Sequence, residues 1–185
     1  YQLSCVPKSN NPGGEASFAF YPVRRLEAEV LIDALNQITG GTEKYSSPIP
    51  EPFTFIPEEQ RSIALADASI SSPFLEVFGR SSRDTGLESE RNNRPTASQR
   101  LHLLNSSHIQ RKLEQSAKLR ALLQQSKGKP LDVVDKLYLT ILSRHPTDEE
   151  LQIVAAYQPT SAGNRRAGLD LAWALINSAE FQYRH

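Results

Sequence analysis

Residues 96–181 form a series of apolar-periodic segments separated by short breaks. In these segments apolar residues recur at i, i+3, i+4 and i+7, the spacing that places them on one face of an α-helix. The pattern is complete at Val134, Leu137, Tyr138 and Ile141, and again at Leu169, Ala172, Trp173 and Ile176. This spacing predicts an all-α fold of five or six helices. The predicted helices are 23–39, 96–104, 108–126, 130–144, 147–157 and 164–181.

Two capping boxes indicate where helices begin in the second half of the chain. Thr96 is followed three residues later by Gln99, and Thr147 is followed by Glu150. In such a box the threonine side chain and the side chain three residues later each bind a backbone N–H of the first turn. The sequence therefore predicts helix starts at both threonines.

Prolines exclude a helix from much of the region before residue 96. Pro48, Pro50, Pro52 and Pro57 fall within ten residues, and each lacks a backbone donor and has a restricted φ. A long proline-rich arm and loop should therefore accompany the helices. The expected division is 1–22 as an extended arm and 23–185 as one helical domain, with 42–95 mostly irregular and 96–181 as the helical core. A short strand at 62–66 and one buried helical turn at 74–78 are also expected.

The charge and cysteine content exclude several classes of protein. The 185 residues include 21 basic and 21 acidic side chains, so the net charge is zero, and no nucleic-acid partner is expected. No apolar run approaches the ~20 residues that cross a bilayer, so no membrane span is expected. Cys5 is the single cysteine, which excludes an intrachain disulfide. The chain starts at Tyr1 and contains no methionine, so we expect it to be a processed chain or a fragment of a longer protein.

The stretch from residue 78 to residue 105 concentrates charge with little regular periodicity. Guanidinium groups bind carboxylates and sulfates through paired hydrogen bonds, so the arginines are candidates for contact with an anion or a partner. The candidate contact residues are Arg80, Arg83, Glu88, Glu90, Arg91 and Arg94. The preferred interpretation is that these arginines pair with neighbouring acids, including Asp84, and brace an irregular loop against the helices.

A catalytic interpretation of the same stretch stays open as an alternative. Glu88 and Glu90 would act as acid and base in a carbohydrate-active enzyme, although nearby arginines would keep both carboxylates ionised. No P-loop, GxGxxG, GxSxG or HExxH motif occurs, and no two histidines are four residues apart. We therefore expect no catalytic residue, no cofactor and no metal ligand in this chain.

Several sequence blocks, in the same order, resemble one family. They include RRLEAEVLIDALNQITG from Arg24, SPFLEVFGRSSRD from Ser72, LYLTILSRHPTDEEL from Leu137 and DLAWALINSAEFQYRH from Asp170. The blocks are similar to an uncharacterised C-terminal domain of large planctomycete proteins that also carry cytochrome-c-like domains. Many of those domains have a Cys-x-Cys pair where this chain has Leu87 and Ser89.

The resemblance implies an exported protein, periplasmic or at the cell surface, with a role in handling polysaccharides. The leading hypothesis is a non-catalytic binding or docking module of an exported multidomain protein. Its expected partners are other domains of the same polypeptide, including haem-bearing ones, and an anionic polysaccharide. The leading hypothesis has two alternatives. One is the carbohydrate-active enzyme described above, and the other is a purely structural domain that completes a missing N-terminal half.

Overall fold

The predicted all-α class is confirmed. The computed structural model describes residues 14, 16–17, 19–21, 23–50, 52–56, 59–65, 69–80, 91, 94–125, 129–157 and 163–184. Its α-helices are α1 (Ala28–Thr39), α2 (Pro73–Val77), α3 (Ala97–Asn105), α4 (Ser107–Gln115), α5 (Ala117–Gln125), α6 (Pro130–Leu142), α7 (Asp148–Ala156), α8 (Gly163–Ile176) and α9 (Ala179–Gln182). Most of the predicted arm at 1–22, with Cys5, lies outside the described residues, so the arm stays a prediction.

Helix α1 contacts α2, α4 and α5, and it is the helix around which the first half of the chain is arranged. Leu31, Leu35 and Ile38 are buried on its predicted apolar face, and Ala34 is partly buried beside them. The helix ends as predicted at Gly40, whose φ of 70° is left-handed and whose N–H binds the carbonyl of Asn36.

A two-stranded pairing joins the region before α1 to the end of the chain. Strand β1 (Arg24–Arg25) pairs antiparallel with β2 (Tyr183–Arg184). The first helix therefore begins at Ala28 and not at residue 23 as predicted. Sequence periodicity misses this pairing because each strand has only two residues and its partner lies at the other end of the chain.

Two predicted helices are each divided, so the helical segments in the described residues outnumber the five or six predicted. The expected helix at 108–126 is interrupted at Ser116, whose side chain accepts a hydrogen bond from the Leu119 N–H and donates one to the Thr39 carbonyl. The expected helix at 164–181 ends at Ile176, and Ser178 caps α9 by accepting from the Phe181 N–H. In both cases a serine oxygen replaces the helical hydrogen bond.

The strand expected at residues 62–66 is wrong, because Ser62–Ala64 form one turn of 3₁₀-helix. The carboxylate of Asp33 on α1 accepts hydrogen bonds from the N–H groups of Ser62 and Ile63, at 2.7 and 3.2 Å. A buried carboxylate that binds two successive N–H groups favours a helical turn over a strand. The buried turn expected at 74–78 is confirmed as α2.

The capping boxes at Thr96 and Thr147 are confirmed and begin α3 and α7. In the second half of the chain, α8 packs along α6 and contacts α4 and α5. Val134, Leu137, Tyr138 and Ile141 of α6 are all buried, as their spacing predicts. None of the helices among the described residues has the length and apolarity needed to cross a bilayer.

Candidate functional site

Two arginines of the charged stretch converge on one buried carboxylate of α1. Arg80 Nε lies 3.3 Å from Glu29 Oε1, and Arg91 Nη1 lies 2.8 Å from Glu29 Oε2. The Glu29 side chain is only 6% exposed and that of Arg80 only 8%. Arg80 also donates to the carbonyl of Ile70 at 2.7 Å. These contacts attach the loop before α2 and the segment before α3 to the first helix.

The remaining predicted contact residues are Arg83, Glu88, Glu90 and Arg94. Arg94 is exposed, and Arg83, Glu88 and Glu90 lie outside the described residues. The prediction of a shared anion or partner contact for these residues therefore stays a prediction. Glu29 was missed because it lies some fifty residues or more from both arginines in sequence.

Glu43 is another buried carboxylate, and it binds two side chains of α4. Its Oε2 atom lies 3.1 Å from His108 Nε2 and 3.0 Å from Lys112 Nζ. Burial raises the pKa of Glu43, but the hydrogen bonds and charges of His108 and Lys112 outweigh burial and hold that pKa below its ordinary value. This cluster attaches the segment after α1 to α4.

The two histidines of α3 and α4 come together although the break between the helices separates them in sequence. The His102 and His108 rings are 5.8 Å apart, and both pack edge-on against Phe74 of α2. Burial, with a smaller contribution from His108, lowers the pKa of His102, whereas Glu43 acts in the opposite direction. The described part of the chain contains no group of three or more His, Cys, Asp or Glu side chains arranged to hold a metal ion.

Arg25 is a buried cation that is held by neutral partners. It is 6% exposed, and it donates to the side chain of Gln99 and, at 3.0 Å, to the carbonyl of Phe78. Its guanidinium carbon lies 5.4 Å from the centre of the Phe78 ring. Gln99 also completes the capping box of α3, so one side chain positions both the helix start and the buried arginine.

A groove of about 820 Å³ lies between α5, α6, α7 and α8. It is lined by residues of α5 from Arg120 onward and by the C-terminal half of α7. The first half of α6 and much of α8 complete the lining. Its walls are mainly apolar and include Val133, Val134, Ile153, Val154, Leu171 and Trp173. Ile153 is 70% exposed, so a large apolar side chain faces solvent at the groove. We call this feature the α5–α8 groove.

Charges at the α5–α8 groove are predominantly positive. Arg120, Lys129 and Arg165 lie in its lining and are exposed, and no acidic partner is found for them among the described residues. The acid in the lining, Asp170, lies 3.2 Å from Arg166 Nε and accepts a hydrogen bond from the Tyr157 hydroxyl at 3.1 Å.

A close helix contact forms one side of the α5–α8 groove. A side chain at Gly168 of α8 would place its Cβ 2.4 Å from Cδ2 of Leu123 on α5. An alanine at this position would therefore require the Leu123 side chain to move. Because Gly168 is helical, its role follows from this contact and not from an unusual backbone conformation.

Sequence reasoning identified Trp173 as a core position but missed the groove. Trp173 does pack partly against the core, and it also lines the open space beside it. A groove requires the relative placement of four helices, which the periodicity of a single helix does not contain. The available signal was the presence of basic residues in or beside the predicted helices, at Arg120, Lys129 and Arg165.

The groove offers an apolar surface with cationic groups at its edge, an arrangement suited to binding. Glu29, Asp33 and Glu43 are instead engaged in contacts between segments of the chain.

Comparisons with known proteins place the chain in a family without assigning it an activity. No curated protein and no solved structure matches it. Residues 1–158 match the family described as "PSD1: Protein of unknown function (DUF1553)". That match covers most of the 185 residues, and the chain therefore belongs to this family of proteins of unknown function.

Proposed function

We propose that the chain is a non-catalytic binding module and that the α5–α8 groove is its binding site. The observation that carries the proposal is the groove itself, an apolar concavity of about 820 Å³. Sites for small molecules have volumes of roughly 300–1,000 Å³, mostly apolar walls and a few polar groups. The exposed Ile153 and the half-exposed Tyr157 beside the groove add apolar surface that a bound molecule would remove from water.

The setting of the module is proposed from the sequence blocks described above. Their resemblance supports an exported multidomain protein of a planctomycete, with cytochrome-c-like domains in the same polypeptide and a role connected with polysaccharides. Fractionation of cells that produce the native protein tests the export. Recovery in the cytoplasm alone would contradict it.

Trp173 provides a direct test of the groove because it is the single tryptophan of the chain and lies in the groove lining. Pyrene, a neutral apolar dye, should quench Trp173 emission by energy transfer when it binds there. Ala155→Phe places a ring in the groove and removes on the order of 60 Å² of apolar contact, so pyrene should bind about tenfold more weakly.

The matched control is Ala117→Phe, since Ala117 is an exposed alanine on α5 that does not line the groove. This variant should bind pyrene as the parent chain does. Equal binding by the parent chain and Ala155→Phe would show that the dye is bound elsewhere and would contradict the proposal.

A second candidate function is docking against another domain of the same polypeptide. Phe53 and Phe55 are 83% and 76% exposed, whereas Thr54 between them is 5% exposed. The turn is held by hydrogen bonds from the N–H groups of Phe53 and Thr54 to the Pro50 carbonyl. Two exposed aromatic side chains, separated by one residue on a fixed turn, are typical of an interaction surface.

A further inference from the structure

We propose that the α5–α8 groove binds a small anionic amphiphile, a molecule with an apolar chain and a single carboxylate-like head. The inference rests on the groove being the binding site proposed above, and it adds the chemical class of the ligand. The apolar walls would receive the chain, and the exposed cations at the edge would receive the head.

The size of the groove favours a small molecule over a peptide helix. A helix with its side chains is 10–12 Å across and rises 5.4 Å per turn, so one turn occupies on the order of 500 Å³. The groove volume of about 820 Å³ therefore holds less than two turns. Recognition of a helix in a groove commonly uses anchors from i to i+7, which span two turns.

The charges select an anion. Arg120, Lys129 and Arg165 come from three different parts of the lining: helix α5, the residue before α6 and the first turn of α8. All three are exposed and lack an acidic partner among the described residues. A ligand anion would thus gain cationic neighbours without breaking an existing ion pair.

The acid in the groove does not cancel this preference. Asp170 is bound by Arg166, which is its i−4 neighbour on α8, and by the hydroxyl of Tyr157. Its charge is therefore already balanced by a cation on the same helix. A cationic ligand would have to compete with Arg166 for this carboxylate.

The test compares three ligands that share one alkyl chain and differ in the head: dodecanoate, dodecanol and dodecyltrimethylammonium. Each is titrated below its critical micelle concentration, with Trp173 emission and calorimetry as readouts. Each of the three exposed cations should raise the affinity for an anionic head by about two- to fivefold. Dodecanoate should therefore bind at least about tenfold more tightly than dodecyltrimethylammonium at low salt. Added salt should weaken dodecanoate binding, because exposed charges are screened.

Matched substitutions identify the cations. Each of three substitutions should weaken the affinity for dodecanoate by about two- to fivefold and change the affinity for dodecanol by no more than about twofold. They are Arg120→Gln, Lys129→Gln and Arg165→Gln. Arg100→Gln is the control, since Arg100 is exposed on α3 and outside the groove. It should leave all three affinities unchanged.

The outcomes separate this inference from the function on which it rests. The anionic assignment would be overturned if dodecanoate and dodecyltrimethylammonium bound with equal affinity. It would also be overturned if the Arg120→Gln chain preferred dodecanoate to the same degree as the parent chain. Dodecanol and pyrene would then still bind, and the groove would stand as an apolar site. If Ala155→Phe left all ligand affinities unchanged, the groove itself would be overturned as the binding site.

Discussion

Glu29 shows how one residue can fix an irregular part of the chain. It is buried on α1, and its two carboxylate oxygens contact Arg80 and Arg91, which are eleven residues apart within the charged stretch. A buried carboxylate paired in this way holds the segments because unpairing it would leave charges in a region with little access to water.

Glu29→Gln should therefore lower the free energy of unfolding by about 3 kcal/mol, because both arginines lose a buried counter-charge. Urea denaturation measures the change. The control is Asp132→Asn, which removes an exposed i,i+4 partner of Lys136 and should cost no more than about 0.5 kcal/mol. Equal costs for the two variants would show that Glu29 does not hold the arginines.

The stability of the fold depends on pH through the ion pair between the Glu150 carboxylate and the Arg144 guanidinium. Both Glu150 oxygens accept from Arg144 at 2.8 Å, and this hydrogen bonding is the main reason that its pKa falls from 4.5 to about 2. A depressed carboxyl pKa stabilises the fold above pH 4.5, and the contribution is lost as the pH falls from 4.5 to about 2. The Glu150 side chain is 28% exposed, so solvent screening reduces the contribution to about 1 kcal/mol.

Glu150→Gln removes the charge and keeps a residue that can complete the capping box. The melting temperature of this variant should be lower than that of the parent at pH 7, and the two should converge near pH 2. Glu149→Gln, in the same exposed turn of α7, is the control and should change the curve little. A difference that persists unchanged at pH 2 would contradict the assignment to the Arg144 pair.

At the scale of elements, short side chains between helices decide where one helix ends and the next begins. Ser116 is 4% exposed and both caps α5 and donates to the carbonyl of Thr39 at 2.6 Å. Ser106 caps α4 in the same manner, through the Ile109 N–H. The two serines therefore differ mainly in the bond to α1.

Ser116→Ala should lower the free energy of unfolding by about 2 kcal/mol, because it removes a cap and leaves a buried carbonyl without this donor. Ser106→Ala should cost about 1 kcal/mol, the typical value for a cap alone. Thermal or urea unfolding measures both. If the two losses were equal, the bond from Ser116 to Thr39 would contribute nothing to stability.

The capping boxes and the apolar spacing within helices were predictable because they depend on residues three or four positions apart. The start of α3 at Thr96 and the buried face of α6 follow from such local patterns. The ion pair between Glu29 and Arg91 was not predictable, since several acids of the charged stretch lie nearer in sequence. The α5–α8 groove was not predictable either, because its shape depends on how four helices pack.

At the scale of the whole molecule, Phe53 and Phe55 present the most exposed large apolar side chains of the described residues. Two phenylalanines in water lose the stabilisation that burial of each would bring, about 1.5–3 kcal/mol per side chain. This loss is recovered if another domain of a longer polypeptide covers the turn. The exposure of these rings therefore argues for a docking surface.

Backbone hydrogen exchange at residues 52–56 tests this surface by comparing the isolated chain with a longer protein that contains it. The amides should exchange more slowly in the longer protein, because a covering domain reduces local opening and access to water. Phe53→Ser with Phe55→Ser should abolish that protection and change the stability of the isolated chain by no more than about 0.5 kcal/mol. Residues 107–115 of α4 provide an internal reference within the same measurement. Equal exchange at 52–56 in both proteins would show that the turn is not covered, and the two rings would then have to act on a separate partner.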